Sequence, residues 1–289
     1  MIQRLTLFFL ISVLGFSSCE VINPDEDIPS FIRIDKITVN AHQGQGSDSA
    51  YIADSWIYVD DQLVGAFQLP AVIPILHQGA QNIEIRSGVL LNGIAATRTI
   101  NPFYAYQKKS IDLVPDSIID IDVETTYNPL TKFVWNSLGQ EGFEEGGISI
   151  DSVNGSSTKI EKTSAEVYEG GYSGQIHLDK DHKYYIGQST KKFVLPRGGQ
   201  AVVLEINCKN TSNHFVIGMF VEAVDGKVTI VNHLVVNPGQ TWKKLYVNFT
   251  ELVMQYPQAA NFRVFFTAEL ESTNTTTDVY LDNIKLIHF

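Results

Sequence analysis

The chain has 289 residues, 44% hydrophobic content and a net charge of −11. That apolar share supplies real cores, and at about 150 residues per domain the length suggests two domains. The acidic balance, with no Lys/Arg-rich run anywhere, repels a phosphate backbone and argues against nucleic acid as a partner.

Residues 1–4 carry one positive charge, and residues 5–16 are apolar apart from Thr6, Ser12 and Gly15. A membrane-spanning helix needs about 20 apolar residues, so this run is too short and has the form of a secretory signal. Leu14-Gly15-Phe16-Ser17-Ser18-Cys19 resembles the lipobox of Gram-negative bacterial lipoproteins, with Phe16 where Leu is usual. The resemblance implies a signal peptide over 1–18, diacylation of Cys19 and a lipidated linker over 19–30. It implies a protein anchored in the outer membrane, on the periplasmic face or at the cell surface. Several acyl chains on one residue give the two-signal anchoring that holds a soluble domain at a bilayer. Asp25-Glu26-Asp27 loosely resembles acidic surface-export signals; its plain alternative is a solvated spacer. An ordinary signal peptide with an incidental cysteine is the alternative for the leader as a whole. Cys208 then has no intrachain partner, and its strand-like context predicts a small packed residue.

From residue 31 the chain reads as β. Residues 31–39 and 50–52 alternate, and Trp56-Ile57-Tyr58-Val59 is separated from Leu63-Val64-Gly65 by Asp60-Asp61-Gln62, a hairpin signal. Pro70 and Pro74 punctuate a connection; residues 81–86 form the next strand and Ser87-Gly88 a turn. Runs at 97–100, 109–113 and 118–123 complete a small antiparallel sandwich over 31–126, with Trp56 in its core. The Trp56–Gly65 hairpin and the strand before Gly88 resemble PEGA-like and carboxypeptidase-regulatory-like modules of envelope proteins. That resemblance implies a non-catalytic spacer or interaction module.

Thr125-Thr126-Tyr127-Asn128-Pro129 breaks the pattern and marks the domain boundary. Strands are predicted at 201–208, 214–223, 227–236, 242–249, 262–270 and 279–287, with a two-residue hairpin at Asp225-Gly226 and one helical turn near 250–256. Many evenly spaced strands with almost no helix predict a jelly roll. The fold class expected is therefore all-β, two β-sandwich domains with the second a jelly roll over 131–289.

Four stretches in order resemble the jelly rolls of carbohydrate-binding modules with a galactose-binding-like fold. They are Glu141-Gly142-Phe143-Glu144, residues 167–178 around Gly170-Gly171-Tyr172-Ser173-Gly174, residues 242–249, and Val279-Tyr280-Leu281-Asp282-Asn283. The resemblance implies glycan binding and a structural calcium shared by Glu144 and Asp282, with carbonyls of the 172–174 turn completing the shell. The alternative leaves Glu144 solvated and Asp282 capping a turn. Tyr184 and Tyr185 are the candidate sugar platforms, with Trp135, His214 and His233 as further possibilities. Trp242 matches a position usually packed in the core.

Catalytic signatures are absent. Gly171-Tyr172-Ser173-Gly174-Gln175 misses the last glycine of a nucleophile elbow, and no His-Glu-x-x-His, Cys-x-x-Cys or phosphate loop occurs. Glu141, Glu144 and Glu145 stand in a Gly-rich turn, and His177 and His182 flank a polar loop rather than a metal site. Asp48-Ser49-Ala50, Asp116-Ser117-Ile118 and Asp151-Ser152-Val153 resemble a short O-glycosylation acceptor motif, which would modify Ser49, Ser117 and Ser152. The expectation is a non-enzymatic envelope lipoprotein that binds polysaccharide, held at the membrane by lipid on Cys19. The competing expectation is an assembly lipoprotein that binds another envelope protein.

Overall fold

The computed structural model describes residues 28–289. Cys19, the lipobox-like run and the acidic cluster lie outside the described residues. Among the described residues every named element is a strand except one short helix, and the fold is all-β.

The first ten strands are β1 (Ser30–Ile34), β2 (Ile37–Asn40), β3 (Asp54–Val59), β4 (Gln62–Gln68), β5 (Ala71–Ile75), β6 (Gly79–Leu90), β7 (Arg98–Ile100), β8 (Gln107–Leu113), β9 (Ile118–Asp120) and β10 (Val123–Thr126). They form sheets in the orders β4-β3-β6-β7, with β8 also on β6, then β5-β1-β9, and β10-β2. The reversal between β3 and β4 is Asp60-Asp61, with φ of 47° and 65°. Two left-handed residues are what a two-residue hairpin turn needs, and aspartate tolerates them.

Four expectations are corrected here. The sandwich is not wholly antiparallel, because β1 runs parallel to β9 and β2 parallel to β10. The two alternating runs 31–39 and 118–123 lie side by side. Both break at the same level, after Ile34 and after Asp120, and change sheet together. Residues 50–52 are not a strand; the Tyr51 amide donates to the Tyr246 hydroxyl at 3.0 Å. Ser87-Gly88 is not a turn but the middle of β6, where Gly88 pairs with both Asp54 and Ile100. Pro74 sits inside β5, an edge strand, where a missing amide costs no ladder bond.

The remaining elements are β11 (Lys132–Phe133), β12 (Ile150–Ser152), β13 (Ile160–Thr163), β14 (Ser173–Asp179), β15 (Tyr184–Ser189), β16 (Val202–Asn210), β17 (Phe215–Ala223), β18 (Val228–Val236), β19 (Gly239–Asn248), α1 (Thr250–Gln255), β20 (Ala259–Glu269) and β21 (Thr276–His288). They build a six-stranded sheet, β13-β14-β21-β16-β19 with β11 also on β21, and a five-stranded sheet, β12-β15-β20-β17-β18. All pairings are antiparallel, and the two sheets face each other as a jelly roll. Leu204, Ile206, Val279 and Leu281 meet Ile217, Met219, Val264 and Phe266 in the core between them. Cys208 is buried in that core, and burial pushes its thiol up to about 12, so it packs rather than reacts. The Asp225-Gly226 hairpin forms, but its reversal takes the four residues between Ala223 and Val228, with Gly226 at φ +84°.

The outer face of the six-stranded sheet is itself half covered. Val203, Tyr246 and Ile287 point away from the jelly-roll core and join the core of the first sandwich. Glu205, Asn207 and Lys285 lie on the same face and are completely buried. The other half of this face is open. No helix among the described residues is long and apolar enough to cross a membrane.

Gly218 shows how tightly the five-stranded sheet is finished on its own outer side. A Cβ there would collide with the Val231 carbonyl oxygen and the Phe265 ring. Gly218→Ala is expected to cost about 1–3 kcal/mol through overpacking, read as a shift in the urea unfolding midpoint.

Candidate functional site

Strand alternation decides what the open half of the six-stranded sheet displays. On β14, Gly174, Ile176 and Leu178 point inward and are buried, so Gln175, His177 and Asp179 point outward. Register then carries a row across the sheet: Glu161 lies beside Gln175, Gln175 beside Tyr280, and Tyr280 beside Lys209. Trp242 on β19 completes it, its ring 6.3 Å from that of Tyr280. Four inter-strand spacings of about 4.8 Å make the row about 19 Å long.

The polar groups of this face are held by one another. His177 Nδ1 and Gln175 Nε2 both meet Asp278 Oδ1 at 2.8 Å. Glu166 accepts from Lys209 Nζ and from Trp242 Nε1, each at 2.8 Å, which lowers its pKa. Tyr168 stands edge-on to Trp242 at 5.6 Å and is 42% exposed, while nearby Tyr172 is 46% exposed. Aromatic rings fixed by neighbours, beside amide, imidazole and carboxylate groups, form a surface that can stack on an apolar ring face and hydrogen-bond its substituents. Beyond Gln175 and His177 the surface dips into a polar groove of about 670 Å³, also lined by Ser152, Ser157 and His182.

One edge of the face is formed by the loop 164–172, and the two carboxylates expected to share a calcium hold this loop instead. Glu144 Oε1 accepts the amides of Gly171 and Tyr172, both at 2.9 Å. Gly170 allows this approach, since it has φ +75° and a Cβ there would strike the Glu144 carboxylate. Asp282 accepts the amides of Glu169 at 3.2 Å and Asn283 at 2.8 Å, and Asn283 Nδ2 donates to Glu169 Oε2 at 2.8 Å. The turn offers these carboxylates N–H donors, whereas a calcium shell needs carbonyl oxygens. The donor set does not fit the cation. No cluster of three or more His, Cys, Asp or Glu suited to a metal occurs among the described residues.

The other candidate residues scatter. Tyr185 is corrected outright: its ring is 0% exposed in the jelly-roll core and cannot be a platform. Tyr184 is half-buried against Ile186, Phe220 and Phe265 on the opposite sheet, away from the row. Trp135 is buried and donates to Ser149 Oγ at 2.8 Å. His233 packs on the Phe249 ring at 5.0 Å, and His214 pairs with Glu271 at 2.8 Å. Glu141 is buried and accepts from Ser149 and Phe143. Trp56 is half-buried beside Arg86 rather than wholly in the core. Ser152 is exposed at the groove, whereas the hydroxyls of Ser49 and Ser117 donate to Asn207 Oδ1 at 2.8 Å and to the Val114 carbonyl at 2.6 Å.

Sequence reasoning placed Trp242 in the core and passed over Gln175, Lys209, Asp278 and Tyr280 as a group. The available signal was the polar alternation of Gln175, His177 and Asp179, which marks an uncovered face.

No family model and no curated protein matches the chain. Solved structures with a similar fold include the family 22 xylan-binding domain of Paenibacillus barcinonensis Xyn10C, 16% identical, with TM-score 0.38 over 52% of this chain and 92% of that one. TmCBM61, solved with β-1,4-galactotriose, is 14% identical, with TM-score 0.34 over 52% of this chain and 95% of its own. The family 11 carbohydrate-binding module of Clostridium thermocellum Lic26A-Cel5E is 15% identical, with TM-score 0.35 over 55% and 95%. Likeness this distant says nothing of what this chain binds; its own surface has to do so.

Proposed function

We propose that the protein is a non-catalytic, lipid-anchored envelope protein that holds polysaccharide on the open half of the six-stranded sheet. The observation that carries the reading is the row from Glu161 to Trp242, in which Trp242, Tyr280 and Tyr168 cluster beside Gln175, His177 and Asp278. Aromatic rings of this kind take the apolar face of a pyranose, and the polar trio takes its hydroxyls. The anchor rests on the Leu14–Cys19 pattern, with Cys19 as the lipidated residue. Glu166 is engaged by Lys209 and Trp242 and Asp278 by Gln175 and His177, so the carboxylates of the face orient its binding groups, which supports capture without cleavage.

Affinity electrophoresis of the full chain carrying Cys19→Ser, against a panel of polysaccharides, tests this. Retardation by at least one glycan class is expected, with no reducing ends released and the same retardation in calcium and in chelator. Retardation by none would remove the reading, and release of reducing ends would replace it with a hydrolase.

A further inference from the structure

Exposed apolar side chains that stand singly are ordinary, whereas a contiguous group marks a contact surface. One such group lies on the outer face of the β5-β1-β9 sheet. Ile32, Ile34, Ile73 and Ile75 point into the first sandwich and are buried, so alternation turns Phe31, Val72 and Pro74 outward. Register aligns Pro74, Phe31 and Ile118 in one row across the three strands. The next row holds Val72, Arg33 and Asp120, and the last two pair at 3.1 Å, which gives the apolar row a polar border.

The chain enters the fold at this row. The Asp116 amide donates to the Pro29 carbonyl at 3.0 Å, the Phe31 amide to the Ser117 carbonyl at 2.8 Å, and Ser30 Oγ to the His77 carbonyl at 3.2 Å. These bonds gather Ile28, Leu76 and Val114 around the entry point, where they are 58%, 64% and 51% exposed. Val72 and Ile118 beside them are 49% and 50% exposed.

Strand direction puts the jelly roll at the other end. From this row β1 and β9 run parallel and lead into β2 and β10, which are parallel as well. Just past β10, Tyr127 donates to Glu205, and past β2, Ser49 donates to Asn207, both on the jelly roll. Towards the N-terminus, the eight residues 20–27 separate the entry point from Cys19. Fully extended, they span about 28 Å.

We propose that the Pro74–Phe31–Ile118 row and the side chains around the entry point form a lipid-contacting surface. It adsorbs to the interface of the bilayer that holds Cys19, a setting that rests on the lipid-anchor reading above. The apolar side chains enter the headgroup boundary, and the Arg33–Asp120 pair stays in water at its border. A tether this short keeps the surface at an effective concentration on the order of millimolar, so an affinity too weak to hold a free chain suffices. The lipid is zwitterionic, because Asp25-Glu26-Asp27 immediately before Ile28 repels anionic headgroups. Adsorption at this end holds the jelly roll clear of the bilayer, where a polymer can reach it.

Flotation with phosphatidylcholine–phosphatidylethanolamine vesicles, up to about 5 mM lipid, tests the surface without the anchor. The chain used runs from Glu20 to Phe289, which carries every described element and lacks Cys19. The parent is expected to float with the vesicles, equally in low and high salt because the contact is apolar. Leu76→Glu and Ile118→Glu are each expected to lower the partition constant about tenfold. Val224→Glu, at an apolar residue 83% exposed on the jelly roll, is expected to leave it unchanged. All three side chains are exposed, so the variants should unfold at the parent's midpoint. A parent that stays in solution at millimolar lipid overturns the proposal and gives the face to a protein or to residues 20–27. Flotation that vanishes in high salt, or that neither Leu76→Glu nor Ile118→Glu weakens, overturns it too. Intact mass of the native protein tests the anchor separately: an unmodified Cys19 would remove the tether and leave the flotation result standing.

Discussion

Replacing Glu205 by alanine is expected to lower the free energy of unfolding by about 3–5 kcal/mol, the cost of breaking a buried charge group. Glu205 is 0% exposed in the middle of β16, where the first sandwich covers the six-stranded sheet. Its carboxylate accepts the Tyr127 hydroxyl at 2.9 Å and stands 3.6 Å from Lys244 Nζ. Lys285, also fully buried, donates to the Ser47 carbonyl at 2.5 Å and to the Tyr127 hydroxyl at 3.2 Å. Removing Glu205 leaves the Lys244 ammonium desolvated beside no anion of comparable proximity, and takes away the charge that favours a proton on Lys285. The tyrosines feel the same environment: burial first, and then the Glu205 charge, raises Tyr104 and Tyr127 well above the ordinary phenol range. Urea unfolding of Glu205→Ala against the parent measures the loss. A loss below about 1 kcal/mol, the range of solvated surface pairs, would mean that water reaches these charges and that the two sandwiches part in solution.

The second large effect is on the pH dependence of stability. Burial pushes Asp282 up to about 7, against amide donors from Glu169 and Asn283 that pull it down. Burial pulls Lys285 down to about 7, against the attraction of Glu205. The signs are opposite across that pH. Between about pH 4 and 7 the folded chain keeps a proton on Asp282 that the unfolded chain releases, so this contribution to stability falls as pH rises. Between about pH 7 and 10 the unfolded chain keeps a proton on Lys285 that the folded chain has lost, so stability rises again. Together the two groups place a minimum near pH 7, with arms of up to about 1.4 kcal/mol per pH unit each. His233 and His288, both depressed by burial, add their own slope on the acid side, so the clean readout is a difference between parent and variant. Urea unfolding at about pH 5, 7 and 9 should show the acid arm gone in Asp282→Asn and the alkaline arm gone in Lys285→Met. Differences that stay constant with pH would contradict both assignments.

The strands were the legible part of this molecule, and their partners were not. The six strands predicted from residue 201 onward are all present, because alternation of large apolar residues persists for nine or more residues in several of them. The first sandwich is harder to read: the breaks at Asp35-Lys36 and Ile121-Asp122 are brief, and nothing local distinguishes a parallel pair from an antiparallel one. Alternation also gives two faces without saying which is covered. In VVLEINC, Glu205 and Asn207 read as solvent-facing, yet another sandwich buries them. Trp242 was expected in the core because it matches a position usually packed there in the jelly rolls it resembles, yet it stands on the uncovered half of the sheet. Taking Tyr184 and Tyr185 together as platforms was a readable error. Neighbours on a strand point to opposite faces, so at most one could ever have lain open on the sheet.

The most direct test of the central claim is a quantitative binding measurement on whichever polysaccharide retards the parent chain, repeated with Trp242→Ala and with Tyr184→Ala. Each variant's thermal midpoint should be recorded alongside, because Trp242 also holds Glu166. Trp242→Ala is expected to weaken binding about tenfold or more, as truncating a tryptophan anchor does, and Tyr184→Ala to leave it unchanged. Full binding by folded Trp242→Ala, or loss of binding in Tyr184→Ala, would contradict the account and move the ligand to the other sheet.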